Sequence, residues 1–190
     1  LGNNKFGFGV ADVSGKGIKS SLLMSKASSL YRCLSKTIFS ASSLLKILND
    51  EICETTTRGM FVTMIVGVYD KNKNELLLSN AGHEPPLIFS SDGNFKTVDE
   101  AGPPLGIAPN FKFTEQTISF KESSMYIFTD GITEMKNTNG DMLGQEGFQD
   151  YIKKYQSTPN NKRLQKIIED LISSGRIQKD DLTIVTVDGK

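Results

Sequence analysis

Phe8-Gly9-Val10-Ala11-Asp12-Val13-Ser14-Gly15-Lys16-Gly17 joins an apolar run to a carboxylate and then to a Gly-Lys-Gly turn, and a helical pattern opens at Ile18. Read physically, this is a buried strand that delivers one aspartate to the rim of a sheet. The turn glycines allow positive φ and close approach of another group. Two later stretches repeat the idea. Met125-Tyr126-Ile127-Phe128-Thr129-Asp130-Gly131 is again an apolar strand ending in Asp-Gly, and Asp180-Asp181-Leu182-Thr183-Ile184-Val185-Thr186-Val187 has acid first and strand after. If the last strand runs antiparallel to the other two, Asp12, Asp130 and Asp180 meet at one edge of one sheet. Carboxylates gathered there repel one another unless a cation sits among them.

The surrounding chain reads as scaffold. Ile18, Leu22, Leu23, Ala27, Leu30, Tyr31 and Leu34 follow helical spacing, and a second helix runs from about Ser42 through Leu44, Leu45, Leu48 and Ile52, with Ser40 or Ser42 as N-cap. Phe61–Tyr69 and Glu75–Asn80 read as strands joined by the Asp70–Asn74 turn. Leu87–Phe89 and Phe95–Val98 read as a second hairpin, and Phe111–Phe120 as a further strand. Asn137–Gly147 is a polar loop, either a flap on the substrate side or a plain connection. Phe148–Tyr155 is a short helix, and Leu164, Ile167, Ile168, Leu171 and Ile172 form a helical stripe stopped by Gly175. The pattern is a long antiparallel meander with helical pairs, not the βαβ alternation of a parallel sheet. The expected class is α+β, with two antiparallel sheets packed together and helices outside, forming a single domain over residues 1–190. Leu1-Gly2-Asn3-Asn4-Lys5 looks like a hairpin turn whose partner strand would lie upstream, so an N-terminal truncation is expected.

Composition narrows the function classes. The 190 residues carry 22 basic and 22 acidic side chains and 37% hydrophobic residues. That suits a folded domain and offers no basic excess for nucleic acid. No apolar stretch approaches a membrane span and no signal peptide is visible. Cys33 and Cys53 fall on two predicted helices and fit a reduced, cytoplasmic protein, although their placement also permits a bridge. Ser14-Gly15-Lys16-Gly17 after a strand is not a phosphate-binding P-loop, because Gly9 and Gly15 stand one residue too far apart and no Ser or Thr follows Lys16.

The acids point to metal chemistry. Carboxylates with few nitrogen or sulfur neighbours favour Mg²⁺ or Mn²⁺, and the single histidine, His83, gives zinc little support. Two hard cations about 3.5–4 Å apart share a bridging carboxylate and activate a water against a phosphate ester. Asp12 is the best bridge, and the Val13 carbonyl supplies one more oxygen. The competing reading is that each acid only caps a turn, which is the commoner role of a lone Asp before Gly.

Asp12-Val13-Ser14-Gly15-Lys16-Gly17, Asn80-Ala81-Gly82-His83-Glu84-Pro85-Pro86, Pro104-Leu105-Gly106, Thr129-Asp130-Gly131-Ile132-Thr133-Glu134 and Asp180-Asp181-Leu182-Thr183 stand in that order. Together they resemble the bacterial branch of the PPM (2C-type) metal-dependent serine/threonine phosphatases, typified by the stage II sporulation phosphatase and the stress-response phosphatases of sigma-factor pathways. The likeness covers almost the whole chain. It implies a four-layer α-β-β-α sandwich holding two Mn²⁺ or Mg²⁺ ions. By motif position, Asp12 bridges both, the Val13 carbonyl binds one, and Asp130 and Asp180 bind the other. Asp181 supports these ligands without joining them.

The resemblance also implies the substrate, a phosphoserine or phosphothreonine protein such as a phosphorylated anti-sigma-factor antagonist. It leaves open an upstream sensor or receiver domain, and helix pairs in this branch can form a homodimer. The Gly-Gly-Asp-x-Tyr-Asp stretch of relatives, which adds an acid, has no counterpart here. Its absence motivates an alternative, a weakly active or inactive phosphatase-fold module that binds partners or senses signals. His83 is read as positioning the Pro85-Pro86 turn, Lys16 as either meeting substrate phosphate or lying solvated, and Glu134 as a helix-start or surface acid.

Overall fold

The opening apolar run forms strand β1 (Lys5–Val13), which carries straight through Asp12; the computed structural model describes all residues except Asn3, Thr57, Arg58, Asp99, Glu100, Lys179, Asp180 and Lys190. Helices α1 (Ile18–Leu34) and α2 (Ala41–Thr55) follow, then strands β2 (Val62–Asp70), β3 (Glu75–Ala81), β4 (Leu87–Ser90) and β5 (Phe95–Thr97). Strands β6 (Gln116–Ser119) and β7 (Ser123–Phe128), the one-turn helix α3 (Asp130–Thr133), helices α4 (Gly144–Lys154) and α5 (Asn160–Ser173) and strand β8 (Ile184–Asp188) complete the order. The chain divides into two compact units, Leu1–Pro85 with Asp99–Lys121 and Gly189–Lys190, and Pro86–Val98 with Glu122–Asp188. Each unit is built on one four-stranded antiparallel sheet. The expected class, α+β with two antiparallel sheets and helices, is therefore the observed one.

In the first unit the sheet order is β1-β2-β3-β6. β1 and β2 pair over nine residues, from Lys5↔Asp70 to Val13↔Val62. Val62, Met64 and Val66 alternate along β2, so they share one face, and they pack with Leu23 and Ala27 of α1 and Leu44, Leu45, Leu48 and Ile52 of α2. α1 lies close on β1: a Cβ built at Gly9 would fall 2.9 Å from Cζ of Tyr31. Ser40 caps α2 by accepting a hydrogen bond from the Ser43 amide. The fully buried Asn49 of α2 donates to the Ala108 carbonyl at 2.8 Å and accepts from the Gly106 amide at 3.0 Å. One polar side chain thus anchors the loop after Leu105 to the helix.

In the second unit the order is β5-β4-β7-β8. Phe148 and Ile152 of α4 and Ile167 and Leu171 of α5 cover Leu87, Phe89, Tyr126 and Phe128. Arg163 of α5 donates to the hydroxyls of Ser124 and Tyr126 and so holds the helix to β7.

Several expectations need correction. Asp12 does not share a sheet with Asp130: β1 takes β2 as its partner, whereas β7 lies between β4 and β8. The strand expected over Phe111–Phe120 pairs only from Gln116 to Ser119. Before that, Glu115 accepts from the Ser42 amide, the Ser79 hydroxyl takes the Thr114 carbonyl, and the Phe111 and Phe113 rings crowd Gly102. These partners replace a ladder. α4 starts at Gly144, a turn before Phe148, inside the stretch expected to be loop. Asp130 begins a helical turn, and Glu134, expected at a helix start or on the surface, is exposed at the end of that turn. Cys33 and Cys53, by contrast, are free thiols, as the reduced reading expects.

Candidate functional site

Asp12 lies on the last turn of the β1–β2 ladder, opposite Thr63. Its side chain is exposed and accepts a hydrogen bond from the next amide in the chain, Val13 N to Oδ1 at 2.9 Å. The turn that follows is pinned at Ser14. The Ser14 amide donates to the Phe61 carbonyl at 3.0 Å, its hydroxyl accepts from the Phe61 amide at 2.9 Å, and its carbonyl accepts from the Ser20 hydroxyl at 3.1 Å. Gly15 then turns the chain at φ 78°, a conformation that side chains resist. Lys16 is exposed on this turn.

His83 is 4% exposed in the same unit. Asn80 brackets its backbone: the His83 amide donates to Asn80 Oδ1 at 2.8 Å, and Asn80 Nδ2 donates to the His83 carbonyl at 2.9 Å. His83 Nδ1 lies 3.0 Å from the Thr63 hydroxyl, and that hydroxyl donates to the Asp12 carbonyl at 3.4 Å. The sequence reading linked His83 to the Pro85-Pro86 turn and missed Thr63, Asn80 and Ser14. The available signal for Thr63 was its place as the one aliphatic hydroxyl inside the apolar Phe61–Tyr69 run.

In the second unit Asp130 stands two residues past the end of β7, exposed, as the first residue of α3. Its approach is fixed by buried Thr129. The Thr129 amide donates to the Thr183 carbonyl at 3.2 Å, its hydroxyl donates to the Asp181 carbonyl at 3.3 Å, and that hydroxyl accepts from the Thr183 amide at 3.2 Å. β8 does run antiparallel to β7, so the Asp181–Thr183 segment lies beside Thr129–Gly131. A Cβ at Gly131 would fall 2.3 Å from the Asp181 carbonyl oxygen, so only glycine fits. Asp180 lies outside the described residues.

Among the described residues no three His, Cys, Asp or Glu side chains form a metal-holding group. The donors that Asp12, the Val13 carbonyl and Asp130 offer are all oxygens, and both carboxylates are exposed. In each unit such donors suit a hard divalent cation such as Mg²⁺ or Mn²⁺ and not a soft one.

Comparison with protein families matches residues 2–190 to Stage II sporulation protein E (SpoIIE). Among curated proteins, the phosphoserine phosphatase RsbU of Bacillus subtilis (strain 168) is 29% identical over 181 residues, which is 94% of this chain and 54% of RsbU. The chain thus spans about half the length of that relative. Among solved structures, the RsbU and RsbW domains of Rv1364c from Mycobacterium tuberculosis superpose with a TM-score of 0.83 at 23% identity, over 97% of this chain and 51% of that one. The catalytic domain of the serine/threonine phosphatase PstP, in complex with two manganese ions, superposes with a TM-score of 0.69 at 14% identity, over 98% and 91%.

Proposed function

The chain belongs to the SpoIIE family of PP2C-type phosphatases, and from that premise we propose that it is a metal-dependent serine/threonine phosphatase acting on a phosphoprotein. The single observation that carries this reading is Asp12: an exposed carboxylate held at the end of a nine-residue ladder, its Oδ1 tied by its own peptide. Asp12 and the Val13 carbonyl, with Asp130 and Asp180, would hold Mn²⁺ or Mg²⁺. When bound, such cations lower the pKa of water and neutralise phosphoryl charge. The chain's part is to keep hard oxygen donors in place. The Ser14 bonds fix the turn after Asp12, and Thr129 and Gly131 fix the approach to Asp130.

The likeness to RsbU supports a substrate carrying phosphoserine in a sigma-factor pathway, and a phosphorylated anti-sigma-factor antagonist is the proposed partner. A cytoplasmic setting agrees with this; no described helix is long and apolar enough to cross a membrane.

The test is hydrolysis of a phosphoserine peptide and a generic phosphate ester with added Mn²⁺ or Mg²⁺. Turnover is expected to need the metal and Asp12. Hydrolysis that persists in chelator and in Asp12→Asn would refute the reading.

A further inference from the structure

We infer that His83 and Thr63 are positioning residues for Asp12, linked to its carboxylate by one directed chain of hydrogen bonds. The inference rests on the reading of Asp12 as a metal ligand. A threonine hydroxyl has one hydrogen. The Asp12 carbonyl can only accept, so for both Thr63 contacts to be hydrogen bonds the hydroxyl gives its hydrogen to the carbonyl at 3.4 Å, and the 3.0 Å contact requires the His83 tautomer with the proton on Nδ1. The Asp12 carbonyl belongs to the same peptide group as the Val13 amide. That amide donates to Asp12 Oδ1. The order of donation is therefore His83 Nδ1–H to Thr63 Oγ1–H, to the Asp12 peptide, to the Asp12 carboxylate.

Each link fixes the next. Asn80 brackets the His83 backbone from both sides. The ring is buried, and Gly82 beneath it is so close to Pro104 that a Cβ would fall 2.7 Å from its Cγ. The ring therefore has a rigid base. Thr63 is the cross-strand partner of Asp12 in the ladder register, so its hydroxyl reaches the Asp12 carbonyl from a fixed neighbour. That bond, at 3.4 Å, is long for its type and is the looser link. Its effect is on orientation: it sets the plane of the Asp12 peptide, and through Val13 N–H the direction in which the carboxylate faces. Bonds that polarise one another along a chain act as a unit, and outer partners of this kind orient metal ligands and tune affinity.

The experiment uses the full 190-residue chain. Thr63→Val removes the hydroxyl and keeps the shape; Thr63→Ser keeps the hydroxyl. His83→Leu removes the donor; His83→Asn keeps an N–H at the position of Nδ1. Two quantities are read: the Mn²⁺ dissociation constant by calorimetry, and hydrogen exchange of the Val13 amide in the metal-free protein. Thr63→Val and His83→Leu are each expected to weaken Mn²⁺ binding about tenfold, and the Ser and Asn variants to stay within about threefold of the parent. The double variant should be no weaker than either single one, because both cut the same chain. Val13 should exchange faster in both disrupted variants; a role confined to shaping the Pro85-Pro86 turn would leave it unchanged. If His83→Leu does not fold, Thr63→Val and Thr63→Ser carry the decision. Parent-like Mn²⁺ affinity in Thr63→Val, with affinity lost in Asp12→Asn, overturns this inference alone. A parent chain that binds no Mn²⁺ overturns the reading of Asp12 as a ligand, and the inference with it.

Discussion

Two strand ends in this molecule carry the same cue, an apolar run closing on an aspartate, and they are supported in different ways. In the first unit the strand continues through the acid. Asp12 is still in register with Thr63, and the chain turns only afterwards, at Ser14 and Gly15. In the second unit the strand stops at Phe128, and Asp130 already opens a helical turn. Asp12 is thus held by a ladder and by its own peptide. Asp130 is held by what its neighbours do: Thr129 locks onto Thr183 and Asp181, and Gly131 lets the Asp181 carbonyl approach. The glycines after the two acids serve opposite needs. Gly15 is there for its backbone angle, with only the Ser20 hydroxyl, at 3.4 Å, near its would-be Cβ. Gly131 is there for space.

This contrast can be tested, beginning where the effect is largest. Asp12→Asn should cut metal-dependent hydrolysis by about two orders of magnitude or more, with an unchanged circular dichroism spectrum. Retained activity would mean that the ladder-held acid is only a turn residue. Next come the glycines. Gly131→Ala should cost about 2–3 kcal/mol because the contact is with backbone that cannot step aside. Gly15→Ala should cost about 1 kcal/mol, since only the positive φ resists it. Urea midpoints compare the two, and equal losses would erase the distinction.

Thr129→Val should cost about 1–2 kcal/mol by leaving the Thr183 amide without its side-chain acceptor. In a thermal melt it should lower the midpoint while binding of Mn²⁺ falls less than in Asp12→Asn.

The smallest effect is with acid. The Lys46 ammonium donating to Asp50 holds that carboxyl below its ordinary 3.8, with the Asn110 amide adding and burial opposing. Lys154 does the same for Asp170 in the second unit, with Tyr155 adding. A carboxyl lowered by folding stabilises the fold above its unfolded pKa, and that contribution is lost as pH falls through the folded value. Asp50→Asn and Asp170→Asn should therefore each flatten the fall of the urea midpoint below about pH 4. An unchanged slope in either would show that its pair contributes nothing to folding.

Much of the fold was legible from periodicity. α2 buries its whole expected stripe, whereas α1 leaves Ile18 and Leu22 and α5 leaves Ile172 exposed, and the short apolar runs that became β2, β3 and β7 are buried strands. The Phe111–Glu115 segment misled because its aromatic residues suit a strand equally well. Its hydrogen-bond partners are the Ser42 amide of α2 and the Ser79 hydroxyl of β3, which no local pattern encodes. The candidate site was legible only as separate acids. Asp12 and Asp130 were found by their place at strand ends, whereas Thr63 sits fifty-one residues from Asp12 and could not be attached to it without the β1–β2 register.

By itself the chain's order of residues determined the elements, the glycine-bearing turns and the oxygen-rich chemistry of the acids. These follow from interactions between near neighbours, where side-chain size, charge and backbone freedom suffice. Tertiary structure alone decided which strands share a sheet, that Asp130 enters a helix, and that a buried histidine reaches Asp12 through a threonine. Those outcomes depend on contacts between distant segments, whose pairing is selected by the packing of whole faces and not by any residue's own preference.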